Sequence, residues 1–161
     1  MNIEHQHFMQ KIQLEEQKIR NLIRTHINNV ALRDDVLQDV LLEAWKSYPK
    51  FKRKSTFGTW LYRIALNVIY LTYRKKKRFP KLVNVELSNL NITGKKEAVS
   101  PQAEKLYQAI ATLKFTEKSI ISAHLDGYNN MEIGEIMGLT TNNVGVSLHR
   151  IKKQLKAALK K

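Results

Sequence analysis

The sequence predicts an all-α protein: two small helical domains joined by a flexible linker, the second a helix-turn-helix. Three observations predict this. The periodic segments carry apolar residues at intervals of three and four throughout, the spacing of one helix face. Only six glycines and three prolines interrupt 161 residues. One polar stretch, Phe79 to Pro101, holds Pro80, Gly94 and the Ser100-Pro101 pair but no helical period, which separates two periodic regions.

Met1 to Gln10 shows no clear pattern and reads as a frayed, solvated terminus. His5 and His7 lie there, but two histidines without a third ligand nearby make no metal site. From Ile12 to Ile27 the residues Ile12, Ile19, Leu22, Ile23 and Ile27 fall on one face of an amphipathic helix. Asp34 to Tyr48 is the next helix. Val36, Val40, Leu41, Ala44 and Trp45 can face a core, while Asp35, Gln38, Asp39 and Leu42 lie on or beside an outward face. Asp34 and Asp35 read as acids at the helix N-terminus, favoured by its dipole.

Ser55 to Arg78 predicts one long helix, with Ser55 as N-cap and Pro80 just past its end. It would run about 33 Å at the helical rise. Phe57, Leu61, Ile64, Val68 and Leu71 form one apolar stripe; Tyr62, Leu66, Ile69 and Tyr73 form a second, weaker one. Between them Arg63, Asn67, Tyr70 and Arg74 stack on a strip that is polar, aromatic and positive. Guanidinium suits phosphate, an amide suits a base edge and a ring suits stacking.

The second periodic region opens with Leu106, Ile110 and Leu113, then a helix from Thr116, its expected cap, to Leu125. Asn129 followed by Glu132 makes a capping box, Gly138 a C-terminal turn, and Thr140 a fresh cap opening a helix to Leu159. That order is a helix-turn-helix. Gly134, inside the first helix of the pair, is explained by close approach of the second. Val144, Leu148, Ile151 and Leu155 face inward. Thr141, Asn142, Asn143, Val146, His149, Arg150 and Lys153 then form a candidate major-groove surface.

Charge constrains the partners. The formal net charge of +14 makes nucleic acid the favoured partner, and Pro49 to Lys81 contains eleven Lys and Arg and no acid. Met1 to Tyr48 differs, with seven acids against six bases, which suits a protein partner better than DNA. A nuclease would need carboxylates converging from separate elements, and the acids from Asp34 to Tyr48 lie along one helix with no ligand partner identifiable elsewhere. No apolar run reaches the length of a membrane span and no signal peptide is legible, so a cytoplasmic protein without membrane insertion is expected. Zero cysteines exclude disulfides and thiolate metal sites. No catalytic residue, metal or cofactor is expected.

Phe57, Trp60, Leu61, Tyr62, Arg63, Ile64, Ala65 and Asn67, followed by the basic tail at 74–78, resemble the promoter-melting segment of bacterial extracytoplasmic-function (ECF) sigma factors. The resemblance implies that this helix and the loop Lys52, Arg53, Lys54 and Ser55 bind the minus-ten promoter element and hold a non-template base flipped out, with Arg63, Asn67, Tyr70, Leu71 and Arg74 as contacts. Leu71 stands where the family has Asp or Asn. Asp34 to Val40 resembles the segment with which sigma factors grip the clamp helices of core RNA polymerase, which implies that role for Asp35, Gln38, Asp39 and Leu42. Leu125 to Tyr128, Glu132-Ile133, Ile136-Met137 and Val144 to Arg150 resemble the domain that binds the minus-thirty-five element and the polymerase flap. Gly145 and Ser147 depart from the Lys or Arg common there, so weaker or differently directed minus-thirty-five contacts are expected. The implied organisation is a region 2-like domain over 1–78, a linker over 79–102 and a region 4-like domain over 103–161, with an anti-sigma factor as a further possible partner. The alternative is a free-standing helix-turn-helix regulator that binds duplex DNA without polymerase.

Overall fold

The computed structural model describes residues 3–78 and 100–160, with side chains as far as Lys75 in the first stretch. The expected linker therefore lies outside the described residues up to position 99. Seven α-helices and one 3-10 turn are described, with no strand among these residues. They divide into two units, one holding the first three helices and the other the last four.

In the first unit, α1 spans Ile3–His26, α2 Val30–Ser47 and α3 Phe57–Arg78, with a 3-10 turn at Tyr48–Lys50. Each helix packs on the other two. The core face of α1 carries the predicted Ile12, Ile19, Leu22, Ile23 and Ile27. It also carries Phe8, which corrects the reading of the first ten residues as frayed. Phe8 is 2% exposed and meets Trp45, Tyr48 and Phe57 edge-on or tilted, at 5.1, 5.1 and 6.2 Å between ring centroids. Burial of one aromatic ring against three others is enough to extend the helix to Ile3, because it contributes about 2–3 kcal/mol.

Helix α2 starts four residues before the predicted boundary. Asn29 is its N-cap, its side chain accepting from the Ala31 amide at 3.1 Å. Asp34 and Asp35 consequently sit in the second turn rather than at the N-terminus, so the helix dipole is not what they serve. Val36, Leu37, Val40 and Ala44 are buried; Trp45, expected inward, is 38% exposed. Arg33 secures the α1–α2 turn by donating Nε–H to the Ile27 carbonyl at 2.8 Å.

The cap of α3 is Thr56, not Ser55: Thr56 Oγ1 accepts from the Thr59 amide at 3.3 Å and donates to the Thr59 hydroxyl at 2.9 Å. The buried face is Leu61, Tyr62, Ala65, Leu66 and Ile69. The core thus follows mainly the stripe expected to be weaker, through Tyr62, Leu66 and Ile69, joined by Ala65 and by Leu61 of the other stripe, whose Leu71 is 55% exposed. A helix presents one continuous face to two partners, so Ala65 in the centre of that face counts for more than the larger residues at its margins.

In the second unit, α4 spans Pro101–Ala111, α5 Phe115–Leu125, α6 Asn130–Met137 and α7 Thr141–Leu159. Helix α4 is capped by Ser100, whose Oγ accepts from the Ala103 amide at 3.1 Å, with Pro101 at the first position, where its missing N–H costs nothing. Helix α5 begins one residue before the predicted cap Thr116; Glu117 instead reaches back to accept from the Lys114 amide at 3.1 Å. The α6 capping box is present in both directions, Asn129 Oδ1 accepting from Glu132 N at 2.8 Å and Glu132 Oε1 from Asn129 N at 3.0 Å. Gly138 ends α6 in the left-handed region at φ 71°, and Thr140 caps α7 by accepting from the Asn143 amide at 3.1 Å. The long helix α7 packs on all three others through Val144, Leu148, Ile151 and Leu155, all buried as predicted.

Gly134 is required by the turn rather than by the second helix. A Cβ there would lie 2.5 Å from the Leu139 carbonyl oxygen, while the Gly134 carbonyl accepts the Leu139 amide at 2.9 Å. Gly134→Ala is therefore expected to destabilise the chain by about 1 kcal/mol or more, overpacking outweighing the gain of about 1 kcal/mol in helix propensity. Urea unfolding checks this; a variant more stable than wild type would contradict the close approach.

Candidate nucleic-acid and polymerase interfaces

With Leu61, Tyr62, Ala65, Leu66 and Ile69 turned inward, the opposite side of α3 is left to solvent. Arg63, Asn67, Tyr70 and Arg74 are all exposed, Tyr70 at 49%, and Leu71 and Lys75 flank them. From Arg63 to Arg74 the strip is about 16 Å long at the helical rise. That length matches about five nucleotides of stacked single strand at 3.4 Å each. Asn67 is exposed, so its amide is not engaged in core packing.

The basic loop enters α3 at its N-terminal end. Lys52, Arg53 and Lys54 are exposed and Ser55 is half-buried. Arg53 has φ 56°, a left-handed conformation uncommon for a residue with a side chain. Aromatic residues on either side hold the loop in that shape. Phe51 stacks on Trp60 at 4.9 Å and 28°, Tyr48 meets Phe57 and Trp60, and Lys11 from α1 lies 5.6 Å from the Tyr48 and Phe57 ring centres, donating to the Tyr48 hydroxyl at 3.3 Å. Helical periodicity does not disclose this cluster, although four aromatics at 48, 51, 57 and 60 on both sides of a basic loop are a visible signal.

A different surface occupies α2. Asp35, Gln38, Asp39 and Leu42 are all exposed, Leu42 at 53%, on one face at intervals of three and four. Among the described residues neither Asp35 nor Asp39 is ion-paired, whereas Asp34 lies 3.9 Å from Arg20. Trp45 sits one turn beyond Leu42, with His5 at 5.0 Å and Phe8 at 5.1 Å behind it. An exposed Leu and a supported Trp beside unpaired acids suit a protein groove better than a phosphate backbone. Trp45 joins this face, although its spacing groups it with the core residues of α2.

On α7 the residues Thr141, Asn142, Asn143, Val146, His149, Arg150 and Lys153 are all exposed on the side away from the core. Thr141, Asn142, Gly145, Val146, His149 and Arg150 line an open concavity together with Asn130, the first residue of α6. Asn130 is not among the residues that spacing on α7 picks out. It lies across the turn from Gly145, where a Cβ would meet Asn130 Nδ2 at 3.6 Å, an ordinary contact distance. His124, on α5, has its pKa lowered by burial and, secondarily, by Lys152, which favours its neutral form. Among the described residues no group of three or more His, Asp or Glu is arranged to hold a metal.

Comparison with known proteins bears on these surfaces. The family description "Sigma-70 region 2" matches residues 12–79, and "Sigma-70, region 4" matches residues 103–155. The RNA polymerase sigma factor HrpL of Pseudomonas syringae pv. syringae is 32% identical over 149 residues, covering 87% of this chain and 80% of HrpL. The ECF RNA polymerase sigma factor SigW of Bacillus subtilis is 25% identical over 166 residues, covering 95% and 89% of the two chains. This chain belongs to the ECF sigma factors. Its fold agrees: the sigma factor RpoE of Bartonella quintana, solved with the anti-sigma factor NepR, superposes with a TM-score of 0.74 at 20% identity, over 95% of this chain and 96% of that one. The sigma factor directs RNA polymerase to promoters and initiates transcription there, which disfavours the free-standing regulator. Among the described residues no helix is long and apolar enough to cross a membrane.

Proposed function

We propose that the sigma factor divides its work among three surfaces. The α2 face of Asp35, Gln38, Asp39, Leu42 and Trp45 docks on the clamp helices of core RNA polymerase. The α3 strip of Arg63, Asn67, Tyr70, Leu71 and Arg74, with the loop residues Lys52, Arg53, Lys54 and Ser55, binds the minus-ten element and captures its unpaired non-template strand. The α7 face of Thr141, Asn142, Asn143, Val146, His149, Arg150 and Lys153 reads the minus-thirty-five element, and its unit also meets the flap. Residues 1–78 form the first domain, 79–102 the linker and 103–161 the second domain, whose first helix α4 already starts at Pro101, inside the linker's last residues. The protein acts in the cytoplasm, without a cofactor, and catalyses nothing itself; the chemistry of RNA synthesis is the polymerase's.

The observation that carries this reading is the segregation of charge within one three-helix unit. Unpaired carboxylates around an exposed leucine occupy α2, and an acid-free cationic strip occupies α3. A protein that met only DNA would have no use for the first surface. Melting follows from the second. Opening a base step costs a few kcal/mol, and each base stacked on a side chain returns about 1–3 kcal/mol, so the strip makes the unpaired strand the lower-energy state once phosphates anchor it.

Solved relatives suggest a further partner. RpoE of B. quintana was solved with NepR, and CnrH with the cytosolic domain of CnrY. An anti-sigma factor is accordingly proposed for this chain, competing for the polymerase-facing surfaces.

Two experiments test the division. The full chain should copurify with core polymerase, and failure to do so would overturn the α2 assignment. Arg150→Ala should weaken promoter binding across sequences and reduce the slope of log affinity against log salt by about 0.9 for each phosphate no longer neutralised. An unchanged slope and affinity would place the groove face elsewhere on the second unit.

A further inference from the structure

Gly58, the second residue of α3, is buried, and a side chain of α1 covers it. A methyl group at position 58 would lie 2.9 Å from Oε2, 3.0 Å from Cδ and 3.1 Å from Oε1 of Glu15. Only glycine leaves room for a carboxylate so close to the first turn of the helix. That turn contains no acid of its own, and Lys52, Arg53 and Lys54 come just before it. A helix N-terminus carries about half a positive charge and N–H groups without intrahelical acceptors. Glu15 thus supplies from α1 the negative charge that α3 and its entry loop lack. Its Oε2 is buried and accepts no hydrogen bond, with Lys18 Nζ at 3.5 Å. A carboxylate oxygen is costly to hold that way; the Lys18 ammonium and the positive N-terminal end of α3 together offset the cost.

We propose that Glu15 is a positioning residue for promoter opening: seated on Gly58, it fixes the N-terminal turn of α3 and so aims the basic loop and the Asn67 strip at the unpaired strand. This rests on the assignment of α3 to the minus-ten element. The loop is short and already bent into a left-handed turn at Arg53, so its direction follows from where the first turn of α3 is held. Glu15 touches no DNA in this role; it acts through Gly58 on residues that do.

A double-mutant cycle tests it, with full-length variants, purified core polymerase and one promoter on which wild type is active. The rate of open-complex formation is read well below the melting temperature, alongside core affinity. Gly58→Ala displaces the carboxylate and should slow opening about tenfold, within the range for coupled neighbours, with core affinity unchanged. In a Glu15→Ala background, where the carboxylate is absent, Gly58→Ala should slow opening no further. Additive effects would overturn the proposal. Should Gly58→Ala fail to fold, Glu15→Gln decides, since it removes the charge at constant volume: slowed opening with intact core affinity supports the role, and a wild-type rate overturns it. Failure of the wild-type chain to open any promoter overturns the minus-ten assignment as well, whereas wild-type opening with an additive cycle overturns the role of Glu15 alone.

Discussion

Replacing Asp35 and Asp39 together with Arg is expected to abolish copurification with core RNA polymerase while leaving the fold intact. Both carboxylates are exposed and neither is ion-paired among the described residues, so the three-helix core beneath them keeps all its partners when they change sign. Surface substitutions of this kind alter stability by about 0.5 kcal/mol or less. At an interface the effect is far larger. Reversing two charges that face complementary ones turns attraction into repulsion, and a cost of about 2–5 kcal/mol corresponds to a drop of about 30-fold to several thousand-fold in affinity. Helicity and melting temperature serve as the control. Copurification at the wild-type level by the folded double variant would remove α2 from the polymerase interface.

The second large effect is expected at Asn67. Its amide stands exposed, one turn from Arg63 and one from Tyr70 and Arg74, where it can read a base edge while its neighbours hold the strand by phosphate contact and stacking. Asn67→Ala should change the preferred base at one or two minus-ten positions, at about 1–3 kcal/mol for each base edge no longer read. Arg74→Ala should instead weaken all promoters alike, because a phosphate contact carries no sequence information. Leu71 is exposed beside the strip, so Leu71→Asp costs no core packing and should shift preference again without abolishing activity. Open-complex formation on promoters randomised across the minus-ten element measures all three. Equal loss on every sequence for Asn67→Ala would show that the amide reads no base.

The two units differ in how much of them is legible in the sequence. The helix-turn-helix is legible almost to the residue, because its boundaries are set by local chemistry: the Asn129 and Glu132 box, Gly138 in a left-handed turn, and the Thr140 cap all act within four residues of chain. The outward faces of α2, α3 and α7 are legible too, since helical spacing alone places Asp35 with Asp39 and Asn67 with Arg63. What escapes depends on contacts distant in sequence. Phe8 is buried only because Trp45, Tyr48 and Phe57 converge on it, and no local period signals that. The choice between Ser55 and Thr56 as cap turns on Thr59, whose hydroxyl pairs with that of Thr56. Asn130 joins the α7 concavity from the preceding helix, across the turn, and Glu15 reaches Gly58 from a helix more than forty residues earlier in the chain. Periodicity identifies which side of a helix faces a neighbour, but not which side chain of the neighbour it meets.

The division of labour itself is tested most directly by run-off transcription with purified core RNA polymerase on a fragmented genomic library. Addition of the sigma factor should produce discrete transcripts whose start sites share two upstream elements at fixed spacing. Those transcripts should vanish without core or with the Asp35→Arg/Asp39→Arg variant. Duplex binding by the chain alone, with no new transcript when core polymerase is present, would contradict it.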